Sequence, residues 1–159
     1  MTILGVDPGS RVTGYGLISW EEGRAKVLDF GCIRARERAS LAERLWEIYK
    51  AFREVLERSS PDCAAVEDIF YRENVRSAFQ IGHARGVILL ALAQAGLPVE
   101  EYAPAEVKKS VVGSGAASKE QVRFMVQHIL DLSEPPKPYD ASDALAVALC
   151  HAHRIGMGG

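Results

Sequence analysis

The chain has 159 residues, 48% of them hydrophobic and 25% charged, with a formal net charge of -2. That length suits one domain burying roughly two-thirds of its unfolded surface, and the near-neutral balance excludes a globally basic nucleic-acid binder while leaving room for a local basic rim. No apolar run nears the roughly 18 residues that a membrane span requires, and Cys32, Cys63 and Cys150 form no C-x-x-C pair, so neither a disulfide framework nor a cysteine zinc site is expected.

In chain order, Ile3-Leu4-Gly5-Val6 is a short apolar run ending in Asp7, followed by a Pro8-Gly9 turn and the returning run Val12-Thr13-Gly14-Tyr15-Gly16-Leu17-Ile18. This reads as a β-hairpin over residues 2–8 and 13–20. Lys26 to Ile33 alternates well enough for a third strand, completing an antiparallel meander. Ser40 with Glu43 forms a capping box before a helix whose apolar positions recur through Leu56, up to Ser59-Ser60-Pro61. Cys63 to Glu67 is a short buried strand, expected parallel to the first because a long helix separates them.

Asn74 caps a second long helix through Ala95, with Gly96 ending it, and Val99 to Tyr102 is a fifth strand. Residues 104–112 read as a helix, 113–117 as a flexible break, and Ser118 with Gln121 as a second capping box. The run 135–138 is a stiff proline linker, Tyr139 to His153 the last helix, and 156–159 a disordered tail after a single domain over 1–155. The order βββαβαβ followed by helices gives an α/β fold with a mixed five-stranded sheet: an antiparallel meander of strands 1–3, then parallel strands 4 and 5. A cytosolic location is expected from the reduced cysteines and the absence of a basic, apolar leader pattern.

Four acids stand out. Asp7 and Glu67 end short buried strands that can be sheet neighbours, about 4.8 Å apart. Asp140 and Asp143 are three apart at the start of the last helix and share a face. Singly, each has an ordinary explanation: a turn starter, a strand-end surface acid, an N-cap with an acid in the first turn. Together, at two strand ends and a helix start, they suggest convergence. Carboxylates so close could not all stay ionised without a counter-charge, and all-oxygen ligands favour Mg²⁺, or Mn²⁺, over zinc. Two such ions about 3.5–4 Å apart suit phosphodiester hydrolysis.

The ordered motifs Gly5-Val6-Asp7-Pro8-Gly9-Ser10, Thr13-Gly14-Tyr15-Gly16, Val66-Glu67-Asp68-Ile69-Phe70, Ser77-Ala78, Gly82-His83-Ala84-Arg85-Gly86, Val107-Lys108-Lys109-Ser110-Val111-Val112-Gly113-Ser114-Gly115, Ser118-Lys119-Glu120-Gln121-Val122 and Asp140-Ala141-Ser142-Asp143-Ala144-Leu145-Ala146 span nearly the whole chain. The set resembles the RNase H-like nucleases and, within them, the RuvC family of Holliday junction resolvases. The resemblance implies an RNase H-like fold and a homodimeric endonuclease that nicks two opposing strands of a four-way DNA junction symmetrically. The ends left would be 5′-phosphates and 3′-hydroxyls, and the family works beside the RuvAB branch-migration motor. It also implies that Asp7, Glu67, Asp140 and Asp143 are the metal-binding catalytic acids. Lys108 and Lys119 match the family's basic residues near the scissile phosphate, and Phe70 its base-stacking aromatic.

The residues read alone agree with those roles. A lysine beside a two-metal site can stabilise the excess charge of a phosphorane, and an aromatic on a polar loop can stack on an unpaired base. Arg72, Arg76, Arg85, Lys108, Lys109, Lys119, Arg123 and Lys137 could form a phosphate-binding rim, and Ala78, Phe79, Gly82, Gly86, Val87 and Leu90 on the second long helix a dimer face. His151 and His153 read as surface residues.

Three alternatives remain at this point. The Asp-Pro-Gly hairpin also resembles the phosphate hairpin of sugar kinases and Hsp70-like ATPases, which need two lobes where this chain offers one. Residues 113–119 do not follow the P-loop spacing. A junction-binding module without catalysis would keep the fold and basic rim, but it gains nothing from clustered acids. An RNase H-like nuclease acting on ordinary RNA or DNA hybrids is the third.

Overall fold

The computed structural model of the protein describes residues 1–69 and 74–158. Three strands, β1 (Thr2–Asp7), β2 (Val12–Glu21) and β3 (Arg24–Arg34), form the antiparallel meander. Helix α1 (Leu41–Ser59) leads to β4 (Cys63–Glu67), and α2 (Val75–Gln94) leads to β5 (Val99–Tyr102). Helices α3 (Pro104–Val112), α4 (Lys119–Ile129) and α5 (Tyr139–Met157) complete the chain. The sheet order is β3-β2-β1-β4-β5, with β1, β4 and β5 mutually parallel. This is the mixed, RNase H-like sheet that the sequence implied.

The helix starts are set by local chemistry. Ser40 accepts from the Glu43 N–H while the Glu43 carboxylate accepts from the Ser40 N–H, and Ser118 and Gln121 repeat the arrangement before α4. The Asn74 side chain accepts from the N–H groups of Arg76 and Ser77. Helix α1 stops where Ser60 takes a left-handed conformation (φ 43°) before Pro61.

Strand alternation then sorts the core into two layers. Leu4, Val6, Ala64 and Val66 pack under α1 and α2, against Phe52, Ile88 and Leu92. Ile3, Ile18 and Ala65 face the other way, onto α3, α4 and α5. Helix α5 lies centrally on that second face, with Ala144 to Ala152 all buried.

Three glycines allow α5 to sit so close. A Cβ on Gly5 would fall 2.0 Å from the Ala144 carbonyl oxygen, one on Gly14 1.9 Å from that of Asp140, and one on Gly16 2.7 Å from Leu145 Cδ2. In the register of the hairpin Gly5 faces Gly16 and Asp7 faces Gly14, so the glycines form one patch beside Asp7.

Two expectations are corrected. Helix α5 runs through Met157, so Gly156 and Met157 belong to a helix and not to a disordered tail. Gly156 rests on Trp20, where a Cβ would meet Cζ2 at 3.1 Å, and that contact carries the helix past His153. His151 is not a surface residue either, and His153 is half-buried. His151 is buried with its Nδ1 2.8 Å from the Tyr102 hydroxyl, and His153 Nδ1 lies 3.1 Å from Ser110 Oγ with its ring edge-on to Trp20. A helix covered nearly all round buries its polar residues with its apolar ones. Burial holds the His151 imidazole below its usual pKa.

The glycine patch yields a stability prediction. Gly5→Ala forces the sheet and α5 apart at a backbone contact and should destabilise the protein by at least about 2 kcal/mol, read as a lower urea midpoint with an unchanged slope.

Candidate active site

Asp7 and Glu67 are the last residues of adjacent parallel strands, one step beyond the aligned pair Val6 and Val66. Their carboxyls stand within hydrogen-bonding reach of each other. Burial first, then the Glu67 charge, pushes the Asp7 pKa well above its ordinary value, with Asp140 adding to the shift and Lys119 opposing it. Glu67 is also raised, chiefly by burial; its hydrogen bond with Asp7 opposes that rise, as do Lys108 and Lys119.

Asp143 joins them from the second turn of α5. Burial and the Asp7 charge raise its pKa to about 6, and the Lys119 ammonium, 3.9 Å from Asp143 Oδ2, holds it from rising further. These three acids, Lys108 from α3 and Lys119 from the start of α4 line one cavity of about 260 Å³, walled by Pro104, Val107, Val122 and Ala146. Those apolar walls are a part of the site that residue types alone did not mark. They withdraw the carboxylates from water and so strengthen every charge interaction among them.

Asp140 does not line the cavity. It lies in the first turn of α5, beside Gly14, and acts on Asp7 and Asp143 through its charge. Among the described residues, no three acids close around a single point as a finished ligand cage: Asp7 and Glu67 face each other, while Asp143 faces Lys119. The donor chemistry nonetheless fits a hard divalent cation, since the acids that line the cavity present carboxylate oxygens whose ionised forms burial and mutual repulsion disfavour.

The other candidates disperse. Lys109 and Arg76 are exposed and do not line the cavity. Phe70 and Arg72, with Tyr71 and Glu73, lie outside the described residues. Arg85 is committed to internal pairing, joined to Glu101 and 3.4 Å from Asp68, so it ties the loop after Glu67 to β5. Arg123 donates to the Pro136 carbonyl at 2.9 Å and covers the Tyr139 ring, fixing the approach to α5. Sequence reading missed these two tethers because their partners are distant in the chain.

Comparison with known proteins decides the family. The profile described as crossover junction endodeoxyribonuclease RuvC matches residues 3–151. The chain belongs to the RuvC family. A relative from Moorella thermoacetica named crossover junction endodeoxyribonuclease RuvC is 51% identical over 96% of this chain and 91% of its own. The Thermus thermophilus RuvC structure superposes with a TM-score of 0.91 at 37% identity, covering 99% of this chain and 97% of that one. The structure titled T. thermophilus RuvC in complex with Holliday junction substrate gives 0.90 at 35% identity, with the same coverage.

The raised acids make the empty-handed fold pH-dependent. Asp143 ionises at about 6 in the fold and 3.8 unfolded, so the native chain holds the extra proton between those values. That contribution is full below the unfolded pKa and is lost as pH rises through about 6. In EDTA the wild-type thermal midpoint should therefore decline from about pH 4 to 7. Asp143→Asn should flatten that decline, be the more stable protein at pH 7, and gain less from added Mg²⁺.

Proposed function

We propose that the protein is a divalent-metal-dependent endonuclease that resolves four-way DNA junctions by paired, symmetric nicks leaving 5′-phosphate and 3′-hydroxyl ends. The observation that carries this reading is the joining of Asp7, Glu67 and Asp143 with Lys108 and Lys119 in one apolar-walled cavity, in a chain of the RuvC family.

Asp7, Glu67 and Asp143, with Asp140 beside them, would hold Mg²⁺, for which Mn²⁺ could substitute. When bound, the cations supply an activated water and a counter-charge for the departing 3′ oxygen. Lys108 and Lys119 face the same cavity and offset the charge that accumulates on the phosphate oxygens. Val107 and Val122 keep bulk water away from the carboxylates, and the glycine patch holds the start of α5 at the distance that Asp143 needs. Lys119 caps no acid permanently: its side chain is 68% exposed and free to turn from Asp143 to a backbone phosphate.

Symmetric cutting calls for two sites related by a two-fold axis. Support for a homodimer comes from α2, whose outer face exposes Val75, Phe79 and Leu90 by 51, 65 and 55%, while Ala84, Ile88 and Ala91 on its inner face are buried in the sheet layer. We extend the same reading to Phe70 as the stacking aromatic, to Arg72, Arg76 and Lys109 as backbone contacts, to cooperation with a RuvAB-type motor, and to a cytoplasmic setting. No helix among the described residues is long and apolar enough to cross a membrane.

The test is a gel assay on a labelled four-way junction and the matching linear duplex. Wild-type protein should give ligatable paired nicks on the junction alone, and only with Mg²⁺. Asp7→Asn should bind the junction and not cut it, and Lys119→Ala should slow cutting by about 10²-fold or more. Binding without cleavage by the wild type would reduce the protein to a junction-binding module.

A further inference from the structure

A second cavity, of about 330 Å³, opens at the same end of the sheet as Asp7 but beside α1 and α2, the helices of the opposite face. Arg11 in the β1–β2 turn, Arg38 in the β3–α1 connection and Arg44 in the first turn of α1 line it, with Ser10, Gln80 and one acid, Glu37. Three guanidinium groups against one carboxylate leave it strongly positive. None of the three arginines forms a salt bridge among the described residues.

The Arg44 Nε is buried there and has no hydrogen-bond partner among the described residues. No side-chain hydrogen bond or salt bridge among the described residues commits the Arg44 guanidinium to a protein partner. The neighbouring Arg36 shows the contrast: on the same connection, it turns away from the cavity and is bound to Glu47 through both its backbone and side chain.

We propose that this cavity binds a backbone phosphodiester of the DNA whose scissile bond lies at the acid cavity, a second phosphate site that orients the strand. Guanidinium forks match phosphate oxygens in pairs, and the Ser10 hydroxyl and Gln80 amide are donors of the kind that fix DNA backbones. The spacing suits this occupant. Ser10 is three residues past Asp7, so their Cα atoms are at most about 11 Å apart, and a strand places one phosphate per about 3.4 Å of helix axis. The near edge of the cavity is therefore reached within about three nucleotides of the phosphate being cut. The need is electrostatic: the acid cluster repels the DNA it must approach, and a fixed positive site on the other side of β1 counters that repulsion.

The proposal rests on the nuclease reading, and its test separates the two. Fluorescence anisotropy in EDTA, over a series of salt concentrations, compares wild type, Arg11→Ala, Arg38→Ala and Arg36→Ala on the labelled junction and on linear duplex. Arg11 and Arg38 are exposed, and circular dichroism verifies that the variants fold. Each cavity variant should bind the junction several-fold more weakly, with the slope of log K against log salt shallower by about 1, whereas Arg36→Ala should keep the wild-type slope. Wild-type slopes in Arg11→Ala and Arg38→Ala, or an equal loss in Arg36→Ala, would overturn the site. A thermal-shift arm uses inorganic phosphate: stabilisation lost in the cavity variants while their DNA slopes stay unchanged would assign the cavity to a free anion, against the proposal. Wild type that binds junction and duplex alike would count against the nuclease's junction selectivity alone, since the cavity comparison still stands on the duplex.

Discussion

The structure depends on a backbone-to-backbone contact. Helix α5 crosses β1 and β2 over Gly5, Gly14 and Gly16, at a separation that no side chain could share. Everything at the site follows from that approach. The first turns of α5 are brought down beside the end of β1, so Asp140 and Asp143 act on Asp7 across a distance set by rigid elements and not by loops. Sites built on strand ends and a buried helix are held more closely than sites on flexible connections. The same contact explains why α5 is enclosed on nearly every side and why His151 finds its partner in Tyr102 within the core.

Against that favourable packing stands an unfavourable cluster of charge. Asp7, Glu67 and Asp143 are each pushed up by burial and by one another. A fold selected for stability alone would place apolar residues at those three positions, since Val107, Val122 and Ala146 already provide the surroundings. The conflict is local and the rest of the molecule offsets it, with two complete apolar layers on either side of the sheet. Such a departure from local consistency is expected where a function demands it.

Much of this was legible in the residues because the governing interactions are short in sequence. Ser40 with Glu43, Ser118 with Gln121, and Asn74 before α2 act over two or three residues, so the helix starts could be read directly. The two-residue period of the strands placed Asp7 and Glu67 at adjacent strand ends. What the pattern could not supply is anything fixed by partners far along the chain. Arg85 looked like a rim cation until Glu101 and Asp68 claimed it, and Arg123 until Pro136 did. His151 could be judged buried, and His153 partly so, only once α5 was known to be the central helix. The last turn of α5 passes beside Trp20, more than a hundred residues earlier. The role of the glycines was hidden for a related reason. Gly5, Gly14 and Gly16 carry no local mark of that role, and only the helix lying on them shows the gaps to be contacts.

Net charge also misleads at the scale that matters for a polyanionic partner. A total of -2 averages a cavity of three acids on one face of β1 with a cavity of three arginines beyond its other face. Fields from such groups are screened within about 8–10 Å at physiological salt, so a phosphate near either cavity responds to that cavity and hardly to the sum. The turn of Pro8, Gly9, Ser10 and Arg11 links the two environments over at most about 11 Å between the Asp7 and Ser10 Cα atoms, about one screening length. The end of β1 thus carries a gradient of potential, between a cavity in which three acids meet Lys108 and Lys119 and one in which three arginines meet a single acid. A uniform basic surface would hold DNA without direction; a gradient anchored on a single rigid strand gives the backbone one preferred way to lie.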